Sequence, residues 1–262
     1  MGVRRTIRES GLVTGGAAGL GRAAALQLVE QMDVVVLDTN EVALEDLRRK
    51  QPKLHTVHGS VTSSVDVSEA VKTASELGPL RLAVLSAGIG RATRLAVDPP
   101  DTQVAVLNEL LAVNVVGLYQ SLAYVTAAMG RTDRDALGQR GCIITVSSAA
   151  AFDGGSGTSA YAATKGAVAS LTLPAARDLG PLGIRICCIA PGAFETPMHG
   201  EPTSETLERL SRNNVHPVRP GKPEEFASLV RHIYGNAYLN ASIIRLDAGA
   251  RDPYVPPGVV RE

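Results

Sequence analysis

Tyr161 and Lys165 stand four residues apart in a proline-free, alanine-rich stretch, residues 161–173. Such a stretch favours a helix, and on a helix this spacing places both side chains on one face, a turn apart. Ser148 follows an apolar run, residues 143–146, that is typical of a buried strand. We therefore expect a hydroxyl at the end of a strand to meet a phenol and an ammonium on the next helix.

The chemistry of this group follows from pKa values. A free tyrosine titrates near ~10 and a free lysine near ~10.4. A neighbouring cation favours the phenolate, so Lys165 is expected to lower the pKa of Tyr161. A phenol tuned in this way can take a proton from an alcohol or return one to a carbonyl, while Ser148 holds the same oxygen. The alternative is that Tyr161 and Lys165 form an ordinary surface pair, and the rest of the sequence must decide.

A glycine-rich run lies near the start of the chain, between a short apolar strand (residues 11–14) and an amphipathic helix (residues 22–30). Strand, glycine turn and helix together are typical of a dinucleotide cradle. Gly15 permits the tight turn, Gly19 lets the backbone approach a diphosphate, and Gly21 allows the helix to pack closely.

Asp38 ends the second apolar strand, about twenty residues past the glycine turn. A carboxylate at this place is expected to bind the adenosine ribose hydroxyls and to repel a 2′-phosphate, which favours NAD over NADP. Arg22 would weaken that repulsion if it lay nearby, but a solvated helix position is the simpler interpretation. Aspartate is also common in turns and at helix N-caps, and this remains the alternative for Asp38.

About seven apolar strands alternate with helical segments along the chain. This alternation predicts an α/β fold, a Rossmann-like, doubly wound parallel sheet with helices on both faces. We expect residues 1–262 to form a single domain, with the irregular segment 193–220 as a substrate lid. Ligands of such sheets bind beyond the carboxyl ends of the strands. Residues 86–89 and Pro191-Gly192 would lie there.

Asn114 interrupts an otherwise apolar helix predicted over residues 104–129. Asparagine is a poor interior helix residue. It could bend the helix, hold a water near the site, or simply pack as a buried polar group, and the residues alone leave these alternatives open.

Composition narrows the function classes. The 262 residues carry 26 Lys plus Arg against 26 Asp plus Glu, so the charge balance gives no reason to expect nucleic acid or a membrane surface. No apolar run is expected to reach transmembrane length. The three cysteines are sparse and lack metal-ligand spacing, so we expect no metal and an intracellular, cytoplasmic protein.

With these motifs in order, the chain resembles the short-chain dehydrogenase/reductase family over nearly all its length. Ser148 and Tyr161 are 13 residues apart, which is the usual interval of that family. The residues that carry the resemblance are the run 14–21, Asp38, Ala87-Gly88, Asn114, Ser148, Tyr161, Lys165, Pro191-Gly192 and Thr196.

The resemblance implies a role for each member of a catalytic tetrad. Tyr161 would be the acid/base, and Lys165 would lower its pKa and bind the nicotinamide ribose. Ser148 would orient the substrate oxygen, and Asn114 would hold a water of a proton relay. The residues implied to bind the cofactor are Gly15, Gly19, Leu20, Gly21, Asp38, Ser60, Val61, Ala87, Gly88, Tyr161, Lys165, Pro191, Gly192, Phe194 and Thr196.

Other segments are similar to a branch of that family, the type II 3-hydroxyacyl-CoA dehydrogenases, which also includes 17β-hydroxysteroid dehydrogenases. These segments include residues 138–144, 175–179, 189–192 and 244–247. The resemblance implies an NAD-dependent, homotetrameric enzyme that interconverts a 3-hydroxyacyl-CoA and a 3-oxoacyl-CoA. A hydroxysteroid or other bulky alcohol is the alternative substrate, since no basic cluster for CoA phosphates is evident in the sequence.

Two positions depart from the family pattern. Ser60 stands where an aspartate usually accepts a bond from the adenine amino group, so adenine binding is expected to be weaker. Leu85 stands where an asparagine usually braces the sheet. A nucleotide-binding scaffold with little turnover is a third hypothesis, supported by these two positions alone.

Overall fold

The sheet is formed by seven parallel strands in a computed structural model that describes residues 8–200 and 203–251. Their order is β3-β2-β1-β4-β5-β6-β7, so the chain starts in the middle and winds outwards in both directions. This confirms the predicted doubly wound fold. The strands are β1 (Ser10–Thr14), β2 (Asp33–Asp38), β3 (Leu54–His58), β4 (Leu80–Leu85), β5 (Gly141–Val146), β6 (Ile184–Pro191) and β7 (Ile243–Leu246).

Helices cover both faces of the sheet, and each face has its own apolar core. The central strands β1, β4, β5 and β6 are buried along their whole length, which explains their continuous apolar sequences. The helices are α1 (Gly19–Leu28), α2 (Glu41–Lys50), α3 (Ser64–Leu77), α4 (Pro100–Leu111), α5 (Leu118–Met129), α6 (Ala150–Asp153), α7 (Ser159–Ser170), α8 (Thr172–Leu179), α9 (Ser204–Ser211) and α10 (Pro223–Gly235).

Helices α4 and α5 are joined without a break by a π-helical segment, Ala112–Gly117, which contains Asn114. The predicted helix over residues 104–129 is therefore correct in its end but starts earlier, at Pro100. Proline is well tolerated at the first helical position, since its missing N–H would be unpaired there. The widened turn shows that Asn114 marks a local change of helix geometry, and π-segments of this kind are frequent at functional sites.

The continuous helix Pro100–Met129 is long and apolar enough, by length and composition, to cross a membrane. The expectation that no apolar run reaches that length is therefore wrong on this criterion. The helix contacts α3 and β4, and 39% of its most apolar window is buried inside the molecule. A helix that packs on the sheet of a soluble protein meets the same criterion, so its length alone does not indicate a membrane span.

Candidate active site

One cavity of about 890 Å³ lies at the carboxyl ends of the strands. It brings together every residue predicted to bind the cofactor or take part in catalysis except Asn114. Those residues are Gly15, Gly19, Leu20, Gly21, Asp38, Ser60, Val61, Ala87, Gly88, Ser148, Tyr161, Lys165, Pro191, Gly192, Phe194 and Thr196. Asn114 lies fully buried behind the cavity wall.

The glycine turn is fixed by two close backbone approaches. Gly15 has a φ of 66°, and a Cβ there would lie 2.7 Å from the Cα of Ala87, two residues past the end of β4. A Cβ on Gly21 would lie 2.3 Å from the carbonyl oxygen of Gly15. Side chains at these positions would push α1 away from the ends of β1 and β4, so the cradle requires glycine at both.

The first turn of α1 faces this cavity without a partner of its own. Its N-cap residue, Ala18, makes no side-chain hydrogen bond to the helix, and the first turn contains no acidic residue. Gly19 opens the helix with a φ of 53°. The unpaired N–H groups at a helix N-terminus attract anions, and the missing side chains leave room for one to approach. A dinucleotide diphosphate fits this position.

Asp38 is held in place by two backbone donors. Its Oδ2 accepts from the N–H of Ala17 at 3.0 Å, and its Oδ1 accepts from the N–H of Asn40 at 3.0 Å. The N-cap of α2 is Asn40, whose Oδ1 accepts from Ala43, so the N-cap alternative for Asp38 is wrong, although the bond to Asn40 is turn-like. Each carboxylate oxygen retains a lone pair for the two hydroxyls of a ribose.

Ser60 uses its polar groups locally. Its hydroxyl shares a 2.8 Å hydrogen bond with the hydroxyl of Thr62, and its N–H donates to Asp66 Oδ2 at 2.8 Å. That bond lowers the pKa of the Asp66 carboxyl. Asp66 is not among the residues that line the cavity. The carboxylate missing at position 60 is therefore not replaced inside the cavity by Asp66. Leu85, the other departure, is buried in the apolar core.

Ser148 and Tyr161 reach the cavity from neighbouring elements. Ser148 lies just beyond β5, and its Oγ accepts from the N–H of Ala150 at 3.1 Å, so its own proton can be donated to Tyr161 or to a substrate oxygen. Tyr161 and Lys165 lie one turn apart on α7. The Lys165 Nζ is 5.8 Å from the centroid of the Tyr161 ring. The predicted placement of hydroxyl, phenol and ammonium around one space is what the structure shows.

The expected direction of the Tyr161 pKa is wrong. Burial raises the pKa of the phenol, and the hydrogen bond from Ser148 offsets this only in part. The ammonium of Lys165 is itself desolvated, and burial lowers its pKa to about 8. Sequence reasoning counted the attraction between ammonium and phenolate but not the cost of burying both groups.

The Lys165 ammonium is held by the backbone around it. Its Nζ donates to the carbonyl of Val146 at 3.0 Å, while its own carbonyl accepts from the Ser147 hydroxyl at 2.7 Å. A Cβ on Gly88 would lie 3.2 Å from Nζ. The glycine after β4 therefore leaves room for the lysine, a role that the sequence did not reveal.

The side chain of Asn114 makes three hydrogen bonds to its neighbours. Its Oδ1 accepts from the N–H of Ile89 at 2.9 Å, and its Nδ2 donates to the Ile89 carbonyl at 3.0 Å and to Thr164 Oγ1 at 3.1 Å. Buried polar packing thus accounts for the side chain. Its two amide donors are taken, so the one side-chain position that remains for a water is the second lone pair of Oδ1.

A cluster of ion pairs around Asp153 lies at the cavity, and nothing in the sequence indicated it. Arg245 on β7 pairs with Asp153, at the end of α6, and with Asp247 at 2.6 Å. Its guanidinium also lies over the ring of Phe152, 5.4 Å from the centroid. Asp153 lines the cavity. Because Asp153 and Arg245 are far apart in the sequence, only the fold shows that they meet.

The predicted lid, 193–220, is fastened at its base and includes two residues, 201–202, outside the described part. The ring of Phe194 fills the space where a Cβ of Gly221 would lie, 2.5 Å from the nearest ring carbon. The N–H of Glu195 donates to the Gly221 carbonyl at 2.9 Å. Thr196 then lies against Gly19, so the start of the segment touches the glycine turn.

Comparisons with known proteins agree with this geometry. Residues 10–206 match the model of the short chain dehydrogenase family. The chain belongs to that family. The dehydrogenase is 40% identical to the 3-hydroxyacyl-CoA dehydrogenase type-2 of Drosophila melanogaster over 249 residues, which cover 92% of this chain and 96% of the relative.

Two solved structures resemble this dehydrogenase closely. The 3-hydroxyacyl-CoA dehydrogenase type-2 from Mycobacterium avium matches with a TM-score of 0.89 and 32% identity, over 96% of this chain and 99% of that one. The 3-ketoacyl-(acyl-carrier-protein) reductase from Brucella melitensis, complexed with NADH, matches with a TM-score of 0.81 and 25% identity, over 92% and 97% of the two chains. The protein is therefore an NAD(P)-dependent oxidoreductase that acts on a CH–OH group.

Proposed function

We propose that this dehydrogenase oxidises a 3-hydroxyacyl-CoA to a 3-oxoacyl-CoA with NAD. The observation that carries the proposal is the grouping of Ser148, Tyr161 and Lys165 around one cavity, in a chain similar over 92% of its length to a 3-hydroxyacyl-CoA dehydrogenase type-2.

The lining of the cavity fits a nicotinamide dinucleotide, which supplies the hydride acceptor when it is bound. The glycine turn and the first turn of α1 would hold the diphosphate. Asp38 would take the adenosine ribose and Lys165 the nicotinamide ribose. The segment from Pro191 to Thr196 would contact the carboxamide.

The residues of this chain then handle the proton of the alcohol. Ser148 donates to the substrate oxygen, and Tyr161 takes the hydroxyl proton as the carbonyl forms. The phenol must first lose its own proton, and burial opposes this. The Lys165 ammonium offers the compensating charge, since two of its three donors are not used by Val146.

The preference for NAD rests on Asp38, whose carboxylate is fixed at the ribose position by Ala17 and Asn40. A 2′-phosphate would meet this charge at close range. We expect kcat/KM to be about 100-fold higher with NAD than with NADP, and Asp38→Asn to narrow the ratio to less than about tenfold. Equal use of both nucleotides by the wild type would contradict the assignment.

The alternative of a hydroxysteroid substrate rested on the absence of a basic cluster for CoA phosphates. Arg209 lines the cavity, so a basic side chain is available to a CoA phosphate and the lack of a basic cluster no longer favours a steroid. The decisive experiment is a ranking of kcat/KM, by NADH formation, across short 3-hydroxyacyl-CoA esters and hydroxysteroids. No turnover of any thioester would reject the proposed substrate class.

Self-association into a homotetramer is part of the proposal. Apolar side chains are exposed along the continuous helix Pro100–Met129 and on α8, among them Val104, Val116, Tyr119 and Leu173. Large apolar side chains left exposed along a helix suit a subunit interface. Light scattering should give four times the chain mass for the wild type and a smaller assembly for Tyr119→Glu. A monomeric wild type would contradict this part.

We also propose a cytoplasmic location. Cys142, Cys187 and Cys188 are all buried, and none forms a disulfide in the described part of the chain. Burial raises the pKa of each thiol, to about 12 for Cys142, so these cysteines are poor nucleophiles. Reduced structural thiols are typical of intracellular proteins. Fractionation or a fluorescent fusion would test the location.

A further inference from the structure

Five charged residues line the cavity, and one of them differs from the others in having no assigned role and no ion-pair partner in the described part of the chain. Asp38 is the proposed ribose ligand, and Lys165 belongs to the proposed catalytic group with Ser148 and Tyr161. The other three, Arg91, Asp153 and Arg209, belong neither to the proposed ribose site nor to the catalytic group. If one of these three charges has no partner within the protein, it is available to bind a charged group of the substrate.

Two of those three charges are neutralised within the protein. Asp153 pairs with Arg245, and Arg251 lies 3.7 Å from the same carboxylate. Arg91 pairs with Glu109 at 3.1 Å, with both side chains about half exposed. Neither residue presents a free charge to a ligand.

Arg209 is different. It lies in the last turn of α9 and is exposed, and its side chain makes neither a hydrogen bond nor an ion pair with any residue of the described part of the chain. Glu205 stands four residues earlier on the same helix, at a spacing that commonly gives an ion pair. Arg209 lines the cavity, and no ion pair joins it to Glu205 in the described part of the chain.

We propose that Arg209 binds a phosphate of the substrate's phosphopantetheine arm, a specificity role that rests on the proposed thioester substrate. Guanidinium is well suited to phosphate, which it can bind through two parallel hydrogen bonds. An exposed position suits the outer end of a long thioester arm, because the reacting carbinol must lie deep, beside Tyr161. The lid segment that carries Arg209 thereby recognises the carrier and not the acyl chain.

The same phosphate chemistry occurs in free CoA esters and in acyl carrier proteins. The test compares 3-hydroxybutyryl-CoA, the same acyl group on a phosphopantetheinylated carrier protein, and the neutral 3-hydroxybutyryl-N-acetylcysteamine thioester. Variants are Arg209→Gln, Arg209→Lys and a matched control, Arg212→Gln, which removes an exposed arginine at the end of the same helix that does not line the cavity.

We expect Arg209→Gln to lower kcat/KM for the CoA ester about 10- to 100-fold, mainly through KM, because a charge-assisted bond to phosphate is lost. Turnover of the neutral thioester and NADH affinity should not change. Arg209→Lys should recover part of the loss, and Arg212→Gln should behave as wild type. A parallel loss with the carrier-bound substrate would identify the carrier protein as an alternative source of the phosphate.

Three results would overturn the proposal. They are an equal loss on charged and neutral thioesters, no loss on either, and weaker NADH binding by Arg209→Gln, which would place the arginine on the nucleotide. Turnover of the neutral thioester by the wild type keeps these results separate from failure of the proposed function. A wild type inactive on every thioester would reject the proposed function itself.

Discussion

Buried cations lie at both ends of the parallel sheet, and they are bonded very differently. At the carboxyl ends, Lys165 has one hydrogen-bond acceptor in the described part of the chain, the carbonyl of Val146. At the amino end of β6, Arg185 donates to Gln139 Oε1 and to the carbonyls of Ile233, Tyr234 and Leu239, at 2.7–3.1 Å.

The difference separates a functional cation from a structural one. Arg185 satisfies carbonyls in the last turn of α10 and in the segment that leads to β7, which have no helical partner. Lys165 keeps two donors unused, although its side chain is equally buried. A buried charge with unfilled bonds destabilises the fold, so we infer that its retention at the catalytic end serves a ligand.

The largest effect should follow from Lys165→Met, which removes the underbonded cation. We expect turnover to fall about 100-fold or more, because the phenolate of Tyr161 and the nicotinamide ribose lose their charged partner. The free energy of unfolding should stay level or rise. Steady-state kinetics and urea denaturation test both parts, and a variant that unfolds at lower urea than the wild type would contradict the comparison.

Arg185→Met is the matched substitution at the other end. Four acceptors lose their donor, and we expect a loss of about 3 kcal/mol in the free energy of unfolding. Turnover per folded molecule should change little, because Arg185 does not line the cavity. An inactive but fully stable Arg185→Met would show that the two ends cannot be distinguished in this way.

A smaller effect should appear as a pH dependence. Burial lowers the pKa of Lys165 from 10.5 to about 8, so between these values the unfolded chain binds more protons than the folded one. Stability from this group therefore rises with pH above 8, and below 8 its contribution is constant. Relative to Lys165→Met, the wild type should gain about 2 kcal/mol between pH 8 and about pH 9.5. A flat difference would mean that the ammonium is not desolvated.

The smallest effect concerns an exposed ion pair. Arg219 binds Glu225 through two hydrogen bonds of 2.8 Å and lowers the pKa of that carboxyl to about 2. The stabilisation is present above pH 4.5 and is lost as the pH falls towards 2. Because both side chains are more than a third exposed, Arg219→Gln should lower the free energy of unfolding at neutral pH much less than Arg185→Met does. A loss comparable to that of Arg185→Met would show that exposure does not weaken the pair.

Local patterns predicted the sheet and most of the cavity. A strand, a turn and a helix each have a short-range sequence pattern. Such patterns identified Gly15, Asp38, Ser148 and Tyr161 as candidate site residues. The direction of the Tyr161 pKa could not be predicted, since it depends on burial, which spacing does not report.

Contacts between distant segments were missed for the same reason. Arg245 meets Asp153, and Gly88 makes room for Lys165, only because the fold brings the ends of separate strands together. The sequence did not indicate a role for Arg209, because an arginine within a polar helical segment has the pattern of a solvated residue.

The most direct test of the account is the rate of NADH formation from 3-hydroxybutyryl-CoA by wild type and Tyr161→Phe, with NADH binding measured on both. We expect the wild type to turn over, and the variant to bind NADH equally well while losing at least 100-fold in kcat. A variant that retains most of the wild-type kcat would contradict the assignment of Tyr161 as the acid/base.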